Sequence, residues 1–422
     1  MVDLYEYLYS DKYMYISMLV ESRRSSPLNV LMVSPEYPPM PGGVGRYTSN
    51  LTRGLLGMGL EVQVACDKVA DGEFPLLSQS NKDNSKVLLD LVNKTEPDIV
   101  HIQYEPGLYG LKLDPLNPRR TSTNIDEFYT NCNKPIVTTF HSAYTFRQWL
   151  DLVVPVNGSA SRSRFIKGPE YVLGYWKRLV NYYSFHRLNK QKLARSRAGV
   201  AFSRYMSEMV GGCDIIFHGA ERNKFPGVSA KKEVRKLLSL PQEGRIALVL
   251  GYATATKGWD IIEKMRIPDG WTIVINASTN HYSKEKYQMN LTKTGRNLID
   301  LRKDFLTEED LFLLFSAADA VILPYKVSSG SGVMFDALAH GLPFVATNLE
   351  FFNEFSAYGL GITVDRKPQA FSDALVSLDG EYKKYADSAD RFGKEISWKE
   401  IARRHVILYD QIATERKPRI LS

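Results

Sequence analysis

The chain has 422 residues, more than one hydrophobic core usually supports, so two domains are expected. Hydrophobic residues make up 44% and charged residues 24%, a balance that excludes a largely disordered protein. No run of about 18 apolar residues occurs, which argues against a membrane-spanning helix, and the net charge of +7 favours anionic partners.

The sequence also indicates a cytoplasmic location. Residues 1–27 contain acidic residues, and Tyr and Lys interrupt their apolar stretch, so they are unlike a signal peptide and are treated as an N-terminal extension. The cysteines Cys66, Cys132 and Cys213 lie far apart without metal-ligand spacing. This spacing fits a reducing compartment and favours neither a disulfide framework nor a zinc site.

The first half of the chain alternates strand and helix patterns. "NVLMVS" (29–34) reads as a strand, a Pro/Gly loop follows, and Leu51 and Leu55 mark a helix before the strand "EVQVACD". "PDIVHIQYE", "KPIVTTFHS" and "RAGVAF" continue the series. This order predicts a doubly wound parallel sheet.

A second series of strands and helices begins at "RIALVLGYATATKGWD" and continues through "GWTIVINAS", "AADAVILPY" and "LPFVATN". We therefore predict an α/β protein of two doubly wound Rossmann-like domains, 28–220 and 221–396, with a last helix at 397–415. Such domains bind ligands at the carboxyl ends of their strands, here in a cleft between the two.

A cluster of small residues, Ser329 to Gly332, opens a helix in the second series. A helix start presents unpaired N–H groups and the positive end of the helix dipole, so the cluster is a candidate phosphate site. An ordinary strand–loop–helix turn would have the same sequence, and both interpretations remain open.

Further candidate residues follow other strands, each with a structural alternative. Gly42, Gly43 and Gly45, with Arg46, would hold backbone against a phosphate or sugar, or simply form a turn that needs positive φ; their G-G-x-G spacing does not fit a dinucleotide fingerprint. His141 is either catalytic or a structural histidine.

Three charged residues complete the set of candidates. Lys257 is either a charge stabiliser for a departing diphosphate or a solvated lysine. Asp336 could bind ribose hydroxyls or favour the helix dipole. Glu105, just past a strand end, is a weaker candidate for a ligand contact.

Taken together, these segments resemble the retaining glycosyltransferases of family 4, which have the GT-B fold. The resemblance covers residues 28–415 and rests on the order of "PEYPPMPGGVGRYTSNLTRGL", "PDIVHIQYEPGLYG", "PIVTTFHS", "KGWD", "AADAVILPY", "GVMFDALAHGLPFVAT" and "SWKEIARRHVILYD". It implies transfer of a hexose from a GDP- or UDP-linked donor to an acceptor hydroxyl, with retention and without a metal or other cofactor.

The resemblance also implies roles for individual residues. His141 would lie beside the transferred sugar, and Lys257 would pair with the diphosphate. The acceptor would be a glycan or a lipid-linked molecule bound by the N-terminal domain, with Tyr104 and Glu105 as expected contacts. The donor contacts would come from Gly42, Gly43, Gly45, Arg46, Ser328, Ser331, Gly332, Val333 and Asp336.

Two departures from the family pattern concern the donor. Ser328 and Asp336 stand where the family often has two glutamates, and "YATAT" contains no arginine before Lys257. A non-catalytic glycosyltransferase-like subunit and a nucleotide-sugar epimerase or glycan phosphorylase with the same fold are therefore the alternatives.

Residues 162–197 contain ten Lys or Arg and one acid, Glu170, interleaved with aromatic residues. A basic amphipathic helix can lie on an anionic membrane, or it can pack on the core with a solvated basic face. We predict that this stretch lets the protein associate peripherally with the inner face of a membrane. Nucleic acid is not an expected partner, because the aromatics fit no nucleic-acid motif.

Overall fold

The computed structural model describes residues 26–152, 169–222, 230–279 and 297–414, without the side chains of 169–172. The predicted extension 1–27 lies outside the described residues except for its last two positions. The start of the predicted basic stretch, residues 162–168, lies outside them as well.

Seven parallel strands form a first sheet. They are β1 (Asn29–Val33), β2 (Glu61–Asp67), β3 (Phe74–Leu77), β4 (Ile99–Tyr104), β5 (Ile136–Phe140), β6 (Ala198–Ala201) and β7 (Asp214–Ile215), in the order β3-β2-β1-β4-β5-β6-β7. The helices in this part of the chain are α1 (Gly43–Gly57), α2 (Asn84–Thr95), α3 (Asp126–Asn131), α4 (Phe146–Leu152), α5 (Pro169–Arg195) and α6 (Arg204–Val210).

Six parallel strands form a second sheet. They are β8 (Arg245–Tyr252), β9 (Trp271–Ser278), β10 (Leu298–Asp300), β11 (Ala320–Leu323), β12 (Phe344–Thr347) and β13 (Gly361–Val364), in the order β10-β9-β8-β11-β12-β13. The helices are α7 (Lys231–Leu237), α8 (Trp259–Ile262), α9 (Glu308–Ala317), α10 (Gly332–Ala339), α11 (Glu350–Ala357), α12 (Pro368–Gly380), α13 (Tyr382–Glu395) and α14 (Trp398–Thr414).

The central strands are buried along their whole length because helices cover both faces of a parallel sheet. Every residue of β4, β5, β11 and β12 is buried. The two doubly wound parallel sheets predicted from the sequence are therefore confirmed.

The described chain divides into two compact units. The first contains the chain up to Phe146, the stretch from α5 to Gly219, and the chain from Trp398 onward; the second contains the remainder of α4 and the chain from Ala220 to Ser397. The sequence-based domain limits stay a prediction. Among the described residues, no helix is both long and apolar enough to cross a bilayer.

The closing helix α14 belongs to the first unit and is held there by close backbone packing and by a buried polar network. A Cβ on Gly54 of α1 would lie 2.9 Å from Cβ of Ala402, so glycine lets the two helices approach. His101 of β4 lies between Tyr409 Oη, 2.6 Å from Nδ1, and Thr139 Oγ1, 2.8 Å from Nε2. The network joins the helix to the middle of the sheet.

A second histidine of this network, His405, is fully buried, with its ring centroid 5.5 Å from that of His101. Its Nδ1–H donates to the Ile401 carbonyl at 2.8 Å. Burial lowers the pKa of His405 to about 4, and burial together with the His405 charge lowers the pKa of His101 well below its usual value. Both rings are therefore neutral at pH 7.

These depressed pKa values predict a loss of stability in mild acid. An unfolded histidine binds its proton near pH 6.5, whereas folded His405 binds one only near pH 4, so the free energy of unfolding falls as pH drops through this window. The slope for one histidine approaches about 1.36 kcal/mol per pH unit. Urea unfolding of wild type and His405→Gln from pH 7 to 4.5 measures the contribution of His405.

The His405→Gln variant is expected to lose the part of this slope that one histidine contributes. Titrating groups that do not interact with His405 cancel in the difference between the two proteins. Parallel stability curves for wild type and variant would contradict the assignment.

Candidate functional site

The second sheet reverses its strand order between β8 and β11. In open α/β sheets, ligands bind at such a switch point, beyond the carboxyl ends of the strands. The segment after β8 leads through a short 3-10 turn, Ala255–Lys257, into α8, and the segment after β11 leads into α10. The loops that carry Lys257 and Ser328 to Ser331 therefore meet where the topology favours a ligand.

These two loops are joined by backbone contacts. The Lys326 N–H donates to the Thr256 carbonyl at 2.8 Å. Gly258 has φ +77°, and a Cβ there would lie 1.8 Å from the Pro324 carbonyl oxygen. Only glycine fits both the left-handed backbone and this approach.

Lys257 is held in place by its neighbours. Its Nζ lies 3.9 Å from the ring centroid of the buried Tyr325, a cation–π contact. The stem lies along Gly251, where a Cβ would be 3.5 Å from Cδ of the lysine. The ammonium group therefore has a defined position after β8.

Helix α10 begins at Gly332 with Ser331 as its N-cap. The Ser331 hydroxyl accepts from the Met334 N–H at 3.2 Å, which is the usual serine cap. The first amides of a helix have no intrahelical acceptor and lie at the positive end of its dipole. Gly332 and Val333, predicted as donor contacts, occupy these first positions.

Ser328 lies in the loop just before this helix start. Its hydroxyl donates to the Gly330 carbonyl at 3.1 Å, and its own N–H donates to Oε1 of Gln148 at 2.9 Å. The Gln148 amide then donates to a carboxylate oxygen of Glu350 at 2.7 Å. Sequence reasoning missed Gln148, because this contact spans 180 positions and follows no local pattern.

Asp336 lies one turn into α10, with 6% of its surface exposed. Its backbone carbonyl accepts from the ring Nδ1–H of His340 at 2.8 Å. The predicted ribose contact of Asp336 stays a prediction.

In the first unit, the strand order reverses between β1 and β4. The buried carboxylate of Glu36, three residues after β1, accepts from the Gly45 N–H at 2.7 Å. A Cβ on Gly42 would lie 2.0 Å from Cδ of Glu36. The glycines after β1 thus surround a carboxylate of the chain itself.

Sequence reasoning also missed Glu36, although its place between a strand and a glycine-rich helix start is a visible signal. Because an ionised Glu36 repels phosphate, a donor phosphate near Gly42 or Gly45 requires this carboxylate to be protonated or displaced. Gly43 faces open space, since nothing lies within 4 Å of a Cβ built there. The roles of Gly42, Gly43, Gly45 and Arg46 stay predictions.

His141 follows β5 and is partly buried beside α1. Its Nε2 lies 2.9 Å from Oε1 of Gln103, and its ring meets Tyr47 and Phe202 edge-on with centroids 5.3 and 5.2 Å away. Burial, and then the charge of His218, lower the pKa of His141 to about 3. The ring is neutral at pH 7, so it can donate or accept a hydrogen bond but carries no charge to a ligand.

Tyr104 and Glu105 close β4 and differ in their surroundings. The Tyr104 side chain is fully buried and stacks on Tyr109 with centroids 5.9 Å apart, so the structure places it in the core instead of at a binding surface. Glu105 is partly exposed. Burial, and then the neighbouring Glu36 carboxylate, raise its pKa to about 7, although the nearby Ser142 and Gly107 act in the opposite direction. A carboxyl with this pKa can exchange protons near neutral pH.

The described residues contain no group of three or more His, Cys, Asp or Glu side chains placed to hold a metal ion. The candidate residues form two sets. One, in the second unit, contains Lys257, Ser328, Ser331, Gly332, Val333 and Asp336, and the other, in the first unit, contains Gly42, Gly43, Gly45, Arg46, Tyr104, Glu105 and His141.

Comparison with known proteins supports the resemblance. No protein-family profile matches the chain. A D-inositol 3-phosphate glycosyltransferase from Corynebacterium urealyticum is 28% identical over 217 residues, or 47% of this chain and 51% of that protein. The match thus spans about half the length of this curated relative.

Solved structures match over nearly the whole chain. The sucrose-phosphate synthase of Thermosynechococcus elongatus has a TM-score of 0.64 at 15% identity and covers 92% of this chain and 100% of its own. HepE of Anabaena, solved in complex with UDP-glucose, has a TM-score of 0.55 at 14% identity and covers 92% and 98%. These likenesses confirm the predicted GT-B fold. The similarity to a glycosyltransferase in sequence comes from the curated relative.

The constraint at Gly258 gives a test of the loop geometry. Gly258→Ala is expected to lower the free energy of unfolding by more than Gly270→Ala, measured by denaturant unfolding. Both glycines have left-handed φ, +77° and +82°, which costs a side chain about 1–2 kcal/mol. A Cβ at Gly270 meets nothing within 4 Å, whereas at Gly258 it meets the Pro324 carbonyl. Equal losses would show that the close approach carries no energy.

Proposed function

We propose that this protein is a glycosyltransferase that takes a hexose from a nucleoside-diphosphate sugar and transfers it to an acceptor hydroxyl. The observation that carries the proposal is that the segment with Lys257 and the segment that leads into α10 follow the two strands at the switch point of the second sheet and contact each other. A cation and a helix start are the two groups that commonly bind a diphosphate.

The proposed chemistry depends on charge that develops as the sugar leaves. As the bond from the sugar to the diphosphate breaks, negative charge grows on the leaving phosphate oxygens. Lys257 and the amides of Gly332 and Val333 stabilise that charge. The proposed reaction uses no metal, and these groups supply part of the positive field that offsets the developing charge.

The configuration of the sugar is retained if the acceptor hydroxyl attacks on the same face from which the nucleoside diphosphate leaves. The leaving phosphate then takes the proton of the acceptor hydroxyl, and no covalent glycosyl-enzyme forms. The neutral ring of His141 is proposed to lie beside the sugar as a hydrogen-bonding group. Glu105 is proposed as an acceptor contact.

The nucleotide is proposed to be UDP or GDP. The curated relative is a glycosyltransferase, and a structural neighbour was solved with UDP-glucose, so the donor class is supported by similarity. The alternatives are a non-catalytic subunit and an epimerase with this fold. Acceptor-dependent release of nucleoside diphosphate separates them, because only a transferase produces it.

Substitution of Lys257 tests the donor site. Lys257→Ala is expected to weaken binding of UDP or GDP by at least tenfold, since a hydrogen bond to a charged group contributes about 1.5–3 kcal/mol and about 1.4 kcal/mol is tenfold. Isothermal titration of the purified protein measures this. Lys264→Ala, an exposed lysine of the same unit, is the control.

Two results would count against the donor site. If Lys257→Ala and Lys264→Ala weaken nucleotide binding equally, the loss comes from the lower net charge of the protein and not from a contact at the donor site. If the wild type binds none of UDP, GDP, ADP and CMP, the non-catalytic alternative gains support.

We further propose that the acceptor is lipid-linked and that the protein reaches it as a peripheral protein on an anionic membrane, through one face of α5. Leu173, Trp176 and Tyr183 are exposed on this helix at 50%, 46% and 64%. Their spacing of three and seven residues places them on one helix face. Large apolar side chains grouped on a surface are typical of an interaction site.

Basic residues extend this face. The Arg187 guanidinium, one turn beyond Tyr183, donates to the Pro118 carbonyl and holds the turn Pro118–Arg120 against α5. Arg119 and Arg120 of that turn are exposed, as are the preceding Leu116 and Lys190 of α5. We call these exposed residues, with Leu173, Trp176 and Tyr183, the α5 patch. Apolar groups flanked by cations fit an anionic bilayer surface.

The double variant Trp176→Ser/Tyr183→Ser tests the α5 patch. Its binding to vesicles of phosphatidylcholine and phosphatidylglycerol, followed by co-sedimentation, is expected to fall at least tenfold, since burying one large apolar side chain stabilises by about 1.5–3 kcal/mol. Leu56→Ser, which changes an exposed leucine of α1, is the control and should bind as the wild type does. Wild-type protein that stays in solution at low salt would contradict the membrane proposal.

A further inference from the structure

The second unit contains a cavity of about 400 Å³ that the donor contacts proposed above do not use. It lies beyond the carboxyl ends of β12 and β13, between the loops that follow them and the start of α4. A volume of this size is within the range of small-molecule sites. Its lining includes six polar residues, Lys326, Thr347, Asn348, Glu350, Asp365 and Arg366.

The lining is polar and electrically balanced. Lys326 and Arg366 contribute cations, Glu350 and Asp365 contribute carboxylates, and Asn348 adds an amide that can donate and accept. Neither sign of charge dominates, so the cavity does not select phosphate or an organic cation. Alternating donors and acceptors fit a neutral ligand that carries several hydroxyl groups.

Two polar atoms at the cavity have no hydrogen-bond partner among the described residues. One is the hydroxyl of Thr347, whose residue is only 4% exposed, and the other is Nε of Arg366. The far end of that guanidinium is paired with Asp260. Buried polar groups without a partner cost free energy, and a ligand hydroxyl that reaches either atom would remove its share of that cost.

The cavity adjoins the candidate donor site. Gln148 accepts from the Ser328 N–H at one end of its amide and donates to Glu350 at the other. Lys326 lines the cavity, and its backbone N–H donates to the carbonyl of Thr256, the residue before Lys257. A ligand in the cavity therefore lies next to the loop proposed to hold the diphosphate.

We propose that this cavity binds a neutral saccharide ring, with the Thr347 hydroxyl and Arg366 Nε as unoccupied hydrogen-bonding groups for it. The position next to the Ser328 loop rests on the proposed function. The ring is either the sugar of the donor or a sugar of the acceptor. These two sources share the same chemistry, and the experiment separates them.

Thr347→Val is the test, since valine keeps the shape of threonine and removes only the hydroxyl. Folding should be unaffected because that hydroxyl has no protein partner among the described residues. Thr272→Val, in β9 away from the cavity, is the matched control. Asp365→Ala is a second variant that removes an exposed carboxylate of the lining.

Affinities are measured by titration for UDP, GDP, UDP-glucose and GDP-mannose, and by saturation-transfer NMR for free glucose, mannose and maltose. We expect Thr347→Val to weaken sugar binding about two- to tenfold, the usual effect of one hydrogen bond. A loss for the nucleotide sugars, with UDP and GDP unchanged, assigns the cavity to the donor sugar. A loss for the free saccharides alone assigns it to the acceptor.

Two results would overturn the inference. One is a Thr347→Val variant that binds every sugar as the Thr272→Val control does. The other is a wild-type protein that binds no saccharide, free or nucleotide-linked. If UDP and GDP fail to bind while free saccharides bind and depend on Thr347, the cavity stands and the proposed transferase function falls.

Discussion

The close approach of Gly258 to the Pro324 carbonyl is the contact on which the geometry of the second unit's site depends. It brings the segment after β8 against the segment after β11, and the hydrogen bond from Lys326 to Thr256 continues the same contact. Lys257 immediately precedes Gly258, so its backbone direction is set by that glycine. Tyr325 immediately follows Pro324 and supplies the ring beneath the ammonium. A side chain at position 258 would therefore displace both the Lys257 ammonium and the Tyr325 ring that it contacts.

The first unit has a different arrangement of charge at its own switch point. Glu36 places a buried carboxylate at the start of α1, where the helix dipole favours negative charge. Glycine is needed at 42 because the carboxylate fills the space a side chain would take. The two units thus use the same strand–loop–helix element differently. In the second unit the N-cap of α10 is a serine hydroxyl, whereas in the first unit the Gly45 amide near the start of α1 is bonded to an acid of the chain.

The sequence predicts the two sheets well because parallel strands covered on both faces are continuous apolar runs, and such runs are visible without any knowledge of tertiary contacts. It also locates Lys257 and the start of α10, since strand ends followed by glycine and serine are local signals. Contacts between distant segments are not local. Gln148 is hydrogen-bonded to Ser328 and Glu350, which lie 180 and 202 positions away in the sequence. No periodicity in the sequence predicts such pairs. Tyr104 is expected as an acceptor contact from the family resemblance alone, and no local pattern indicates that its ring lies in an aromatic cluster of the core.

Charge at the candidate donor site sets a limit on the chemistry. A helix start contributes about half a positive charge and Lys257 contributes one, whereas a departing nucleoside diphosphate carries two or more negative charges. The family resemblance implies an arginine before this lysine, and "YATAT" contains none, so the proposed chemistry leaves part of the developing charge to another cation. Lys326 and Arg366 line the neighbouring cavity, but Arg366 is already paired with Asp260. Lys326 lines the same cavity, and its backbone N–H donates to the carbonyl of Thr256, next to Lys257.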